Sequence, residues 1–148
     1  MLLIPDPLRE RLVANFRAGP RHDPVPVVKL YAPWGVACWL ITELMDDGNT
    51  LFGLCDLGLG CPELGYVSWA ELEALRGALG LGIRRDERFA PTRPLSVYAG
   101  AARLWGYVAE DEALLADAAR RLSPLPPAPA RGARAGAARP DMPEGETP

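Results

Sequence analysis

Histidine is nearly missing from this chain of 148 residues, which carries only one, and cysteine is sparse at three. An odd, small cysteine count argues against a disulfide framework, so reduced thiols are expected. Long apolar runs are absent too. The longest in the body of the chain, residues 36–41, is far below the ~20 residues a bilayer-spanning helix needs. The apolar start Met1–Leu2–Leu3–Ile4 is cut short by Pro5 and Asp6 and has no basic flank, so it does not read as a secretory signal. A cytoplasmic protein is expected. Strong charge of either sign is lacking as well: the net charge is -3 and the pI about 5.2, with no global pull toward nucleic acid or an anionic membrane.

What is present is an ordinary globular composition, 49% hydrophobic and 24% charged, in a length that suits one domain with a real core. The most informative stretch runs from Glu63 to Gly77. A short apolar run, Leu64 to Val67, reads as the end of a strand and meets Ser68, with Glu71 three residues on. That is capping-box spacing, in which the serine hydroxyl accepts from the Glu71 amide and the glutamate reaches back. Leu72 and Leu75 continue a helical stripe, and Gly77 is the expected left-handed stop.

Upstream, Asp6–Pro7 is a helix start with a capping carboxylate, and Leu8, Leu12 and Phe16 recur every four residues, predicting a helix over 7–17. Strands are expected over 27–32, 36–44 and 51–57, joined by Pro33–Trp34–Gly35 and by Asp46–Asp47–Gly48–Asn49. Connections this short imply an antiparallel meander. Alternation then places Val28, Leu30, Cys38, Leu40, Leu44, Leu51, Cys55 and Leu57 on one apolar face. Lys29, Tyr31, Trp39, Glu43, Phe52 and Asp56 fall on a second, mixed face. Downstream, residues 84–89 suit a short extended piece. Pro94 opens a helix with Leu95, Tyr98, Ala102 and Trp105 on one side, and 110–122 is a last helix, acidic first and basic at its end. From Ser123 the chain turns to Pro, Ala, Gly and Arg without an aromatic residue, so 123–148 is expected to be a disordered tail. The expected fold is therefore α+β over 1–122: an N-terminal helix, a three-stranded antiparallel meander, then the capped helix and two more packed on one sheet face.

Several short motifs within 26–95 occur in a suggestive order: Val27–Val28–Lys29–Leu30–Tyr31, Trp39, Thr42–Glu43, Phe52–Gly53–Leu54, the run Glu63 to Ser68, Glu71–Leu72–Glu73, Arg76–Gly77, Leu79–Gly80–Leu81 and Arg85–Asp86. Together they resemble a family of small single-domain bacterial proteins catalogued as a domain of unknown function (number twenty-nine fifty-eight). The resemblance covers about two-thirds of the chain and departs at Gly82, where the family pattern has proline. It implies a fold and a setting on plasmids, integrative elements and phages. It implies no reaction and no catalytic residues.

Candidate chemistry is thin. His22, Cys38, Cys55 and Cys61 nominally make a zinc set, but the closest pair, Cys55 and Cys61, has five intervening residues, and structural zinc favours a tighter pair. No metal and no cofactor are expected. Ser68 has no nucleophile elbow and is explained by capping. The pairs Gly58-x-Gly60 and Gly80-x-Gly82 lack the spacing of phosphate-binding loops and read as connectors. The loop residues Cys61, Glu63 and Tyr66 are the best remaining candidates for an unrecognised enzyme site.

The mixed face offers the best binding surface, because aromatics interleaved with charges bind partner proteins or stack bases. The plainer alternative is cross-strand packing, with Lys29 and Asp56 pairing beside Trp39. Arg131, Arg134 and Arg139 in the tail give at most weak, salt-sensitive phosphate contact. The leading expectation is a non-enzymatic protein-interaction module of a mobile element, with a host or element-encoded partner. A nucleic-acid-associated accessory protein and a small enzyme are the alternatives.

Overall fold

The computed structural model describes residues 2–122. The expected tail, 123–148, with Arg131, Arg134 and Arg139, lies outside the described residues. The helix α1 spans Asp6–Arg17, and four strands follow as a meander: β1 (Val28–Tyr31), β2 (Cys38–Leu44), β3 (Thr50–Asp56) and β4 (Glu63–Ser68). The capped helix α2 is Trp69–Ala74, β5 is Arg84–Arg85, and the helices α3 (Leu95–Trp105) and α4 (Glu112–Arg121) complete the fold. All strand pairs are antiparallel, in the order β4-β3-β2-β1-β5. The architecture is α+β as expected, with five strands where three were foreseen. The run before Ser68 is a full strand, and Arg84–Arg85 pairs with the outer edge of β1.

The expected faces need a correction. β1 and β2 pair with Val28 opposite Ile41 and Leu30 opposite Trp39, so Trp39 joins Val28 and Leu30 on one face. Lys29 lies opposite Leu40 and Tyr31 opposite Cys38, which moves Leu40 and Cys38 to the other face. The expected phase across the turn at Pro33–Trp34–Gly35 was off by one residue, and such a slip exchanges the two faces of a strand. Beyond it, β2 carries a bulge. Ile41 pairs with Gly53 and Glu43 with Phe52, leaving Thr42 as the extra residue. The bulge restores the phase, so Leu44 and Leu51 do lie on the face of Val28.

Both faces are covered. Leu12 of α1, Leu3, Ile4 and Leu72 of α2 close over Val28, Leu30, Trp39 and Ile41. On the opposite face α3 and α4 pack Leu95, Tyr98, Ala102 and Leu115 against Leu40, Phe52 and Leu54. So α3 and α4 share a face as expected, while the buried side of α2 faces the other way. Each fully buried leucine contributes about 2 kcal/mol of transfer free energy, which makes these two layers the main stabilising term.

Local signals resolve individually. Ser68 Oγ accepts the Glu71 amide at 3.2 Å, as the spacing predicts. Asn49 adds to this cap: its carbonyl accepts the Trp69 amide, its Oδ1 the Ala70 amide, and its Nδ2 donates to Ser68 Oγ. Asp6 begins α1 instead of capping it. Pro5 occupies the cap position without a side-chain bond, and Asp6 sits in the first turn, where its charge suits the helix dipole. Gly77 is not a left-handed stop: α2 ends at Ala74, Leu75 is extended, and Gly77 has φ −104°. Arg76 folds back to donate to the carbonyls of Glu73 and Leu75, both at 2.7 Å, and the Trp34 ring covers Gly77 where a Cβ would stand 2.0 Å from Cδ2. Asp23 caps α3 from far in sequence, its carboxylate accepting the amide and hydroxyl of Ser96 at 3.1 and 2.5 Å.

Candidate functional site

Three loops converge at the end of the sheet where β1 turns into β2. They are the β1–β2 turn, the β3–β4 connector and the segment between α3 and α4. Asp56, the last residue of β3, is 4% exposed and ties two of them together. Its Oδ1 accepts the Gly58 amide at 2.8 Å and its Oδ2 the Val108 amide at 3.1 Å. Gly106, left-handed at φ 82°, ends α3 and turns the chain toward Asp56. Val36 contacts Gly58 closely enough that a Cβ there would sit 2.4 Å from its Cγ2. The result is a cleft of about 780 Å³ lined in part by Lys29, Tyr31, Val36, Cys38, Asp56 and Tyr107.

The lysine inside is held by two carboxylates. Lys29 Nζ bonds Glu110 and lies 3.9 Å from Asp86. Burial pulls the lysine pKa down, but the hydrogen bond and charge of Glu110 outweigh it, and the pKa ends above its ordinary value. Burial pushes the Cys38 thiol up to about 11, only partly opposed by Lys29, so the thiol stays protonated near neutrality. The site therefore holds a saturated cation, a carboxylate bonded through both oxygens to backbone amides, and an unreactive thiol. The protonated thiol is not poised for nucleophilic work near neutral pH.

The rim has a different character. Val36, Leu59 and Tyr107 are all about half exposed or more, up to 78% for Leu59, and each sits on a different one of the three converging loops. Exposed apolar residues grouped on converging loops mark an interaction surface more often than a catalytic one.

The sequence-predicted residues scatter. Lys29, Tyr31 and Asp56 do meet in the cleft. Phe52 lies on the same face but is buried beneath the helices, its ring centroid 5.1 Å from that of Tyr66, and Glu43 is buried at 2% exposure. Trp39 points into the opposite core. The loop set is not brought together. Cys61 is exposed in the connector, Glu63 pairs with Cys55 on one face of β4, and Tyr66 pairs with Phe52 on the other. Cys38 and Cys55 are likewise on opposite faces, and among the described residues no group of three His, Cys, Asp or Glu side chains is arranged to hold a metal. The sequence reading missed Val36, Asp86, Tyr107 and Glu110. Only the helix stop at Gly106 hints that the chain turns there.

A family model described as "Protein of unknown function (DUF2958)" matches residues 3–109, which include every strand and most of the cleft. No curated protein and no solved structure matches the chain. Among the described residues no helix is long and apolar enough to cross a membrane.

Proposed function

The chain belongs to the family described as Protein of unknown function (DUF2958), and from that membership we propose that it is a non-enzymatic protein-interaction module working in the cytoplasm in the service of a mobile genetic element. The cleft and its rim are the contact surface. The observation that carries this reading is the pairing of a cleft whose Lys29 is held by Glu110 and Asp86 with exposed Val36, Leu59 and Tyr107 on three converging loops, two of them tied together by Asp56. Loops held on a rigid sheet present such residues at little entropic cost on binding. The mobile-element setting comes from the family resemblance, and the partner is a host or element-encoded protein. A nucleic-acid role has less support, because Lys29, the cation of the predicted mixed face, is already engaged by Glu110 and Asp86.

The test is co-purification from a bacterial host that carries the element. The wild-type chain is expected to retain a partner in stoichiometric amount, Val36→Asp and Tyr107→Ala to lose it, and Arg17→Ala at the far end of α1 to keep it. Absence of any stoichiometric partner, or capture indifferent to the rim variants, discards the reading.

A further inference from the structure

Away from the cleft, residues 75–82 form a narrow finger. The Gly77 amide bonds the Leu81 carbonyl at 2.8 Å, the Gly80 amide bonds the Gly77 carbonyl at 3.1 Å, and Arg76 bridges to Gly82. Trp34 clamps the base by covering Gly77, and Arg76 fastens it to the end of α2. At the tip stands Leu79, 96% exposed, with φ 61° and ψ 18°. It is the one non-glycine residue with positive φ among the described residues. Leucine adopts that conformation at an energetic cost, and here the side chain gains no burial in return. A rigid frame that holds a large apolar side chain out in water, in a strained conformation, is built to present it.

The same surface holds a receptor for it. A groove of about 510 Å³ between α2 and the sheet is lined by Trp39, Val67, Leu72 and Leu75, with the exposed Leu57 at its edge. Leu75 belongs to both features, as wall of the groove and root of the finger. Charge is complementary in the same sense. Beside Gly80, Arg76 and Arg84 outnumber Glu73 and leave the finger side positive, while Glu71 flanks the groove. A knob and a hole that adjoin on one surface are self-complementary under a two-fold axis, which closes the contact at two copies. We propose that this protein forms a homodimer in which Leu79 of each copy seats in the groove of the other. The contact is separate from the cleft and does not rest on the cleft's proposed role.

Sedimentation velocity over a range of concentrations tests it with three preparations. The wild type is expected to sediment as a dimer. Leu79→Asn suits the left-handed backbone, so it should fold with an unchanged or raised melting temperature, yet self-associate at least tenfold more weakly. Leu57→Asp, at an exposed edge of the groove, should do the same. Neither variant offers a complete finger-and-groove pair to itself. An equimolar mixture restores one of the two contacts, so dimers should reappear at an affinity between variant and wild type. A wild type that stays monomeric at its highest soluble concentration overturns the proposal. So does either variant associating like the wild type, or a mixture no better than its components.

Discussion

Gly53 faces the carbonyl of Leu40 across β2 and β3 so closely that a Cβ at position 53 would stand 2.0 Å from that oxygen and 2.9 Å from the Cα of Ile41. The contact is backbone against side chain, next to the bulge at Thr42, so no rotamer change relieves it. Gly53→Ala is expected to destabilise by about 3–5 kcal/mol or to prevent folding, the range reserved for forced movement of a core backbone. Gly65, its partner on β4, has open space where a Cβ would go. Gly65→Ala should therefore be neutral or stabilise by about 0.5 kcal/mol. Urea midpoints of the two variants, read side by side, check both signs.

The bulge has its own fastening. A bulged residue leaves a carbonyl outside the ladder, and that of Thr42 accepts from Asn15 Nδ2 of α1 at 2.9 Å. Asn15→Ala should cost about 1–2 kcal/mol, because the carbonyl loses its partner beneath the helix. Asn15→Asp should cost more, since it offers no donor and sets two acceptors together. His22, whose Nε2 lies 3.2 Å from Asn15 Oδ1, supports the same side chain from outside, and His22→Ala should cost less than either. Chemical denaturation of the three variants ranks them.

Local order was legible where a short stretch carries its own physics. The four-residue spacing of Leu8, Leu12 and Phe16, the Ser68–Glu71 cap, and the turn where Asp47 Oδ1 accepts the amides of Asn49 and Thr50 all resolve within a few residues. Sheet faces were less legible because they depend on phase across a turn and through a bulge. The phase slips by one at the Pro33–Trp34–Gly35 turn and recovers at Thr42, which nothing local marks as the extra residue, so Trp39 and Leu40 exchange faces between the two. The site was least legible. Lys29 meets Glu110 from 81 positions away, and Asp56 holds Val108 from 52, so the cleft exists only after α3 has crossed the sheet. A pattern of types and spacings identifies one wall of such a site and is blind to the other.

The three thiols should separate by reactivity. Cys61 is exposed, whereas burial pushes both Cys38 and Cys55 up to about 11 from an ordinary value near 9. Iodoacetamide at pH 8 should modify Cys61 first, with Cys38 and Cys55 reacting only as the chain opens, a difference that peptide mass spectrometry resolves. The same shifts fix an alkaline limit. Above pH 9 the unfolded chain releases thiol protons that the folded chain holds until about pH 11. Stability therefore falls across that window, by about 2 kcal/mol for each thiol as an order of magnitude. A urea midpoint that stays flat between pH 9 and 11 would contradict the buried placement of Cys38 and the half-buried one of Cys55.

Among the described residues Lys29 is the only cation paired with Glu110 and Asp86 in the cleft, so its removal should be felt through the two carboxylates it leaves behind. Lys29→Met keeps most of the stem that packs beside Tyr31 but leaves like charges adjacent. Because the Glu110 side chain is 40% exposed, solvent screening limits the cost to about 1 kcal/mol. Raising the salt concentration should recover part of it, since screening weakens repulsion as well as attraction. Adding Glu110→Gln to Lys29→Met should recover more, and a double-mutant cycle isolates the pair. The sign with pH is set by the raised lysine pKa: the pair's contribution is complete below the ordinary value of 10.5 and lost as pH rises through the higher folded value. The gap between wild type and Lys29→Met should thus be constant from neutrality to about pH 10 and close above it. A gap that instead persists unchanged as the lysine loses its proton would show that Lys29 acts through packing and not through its charge.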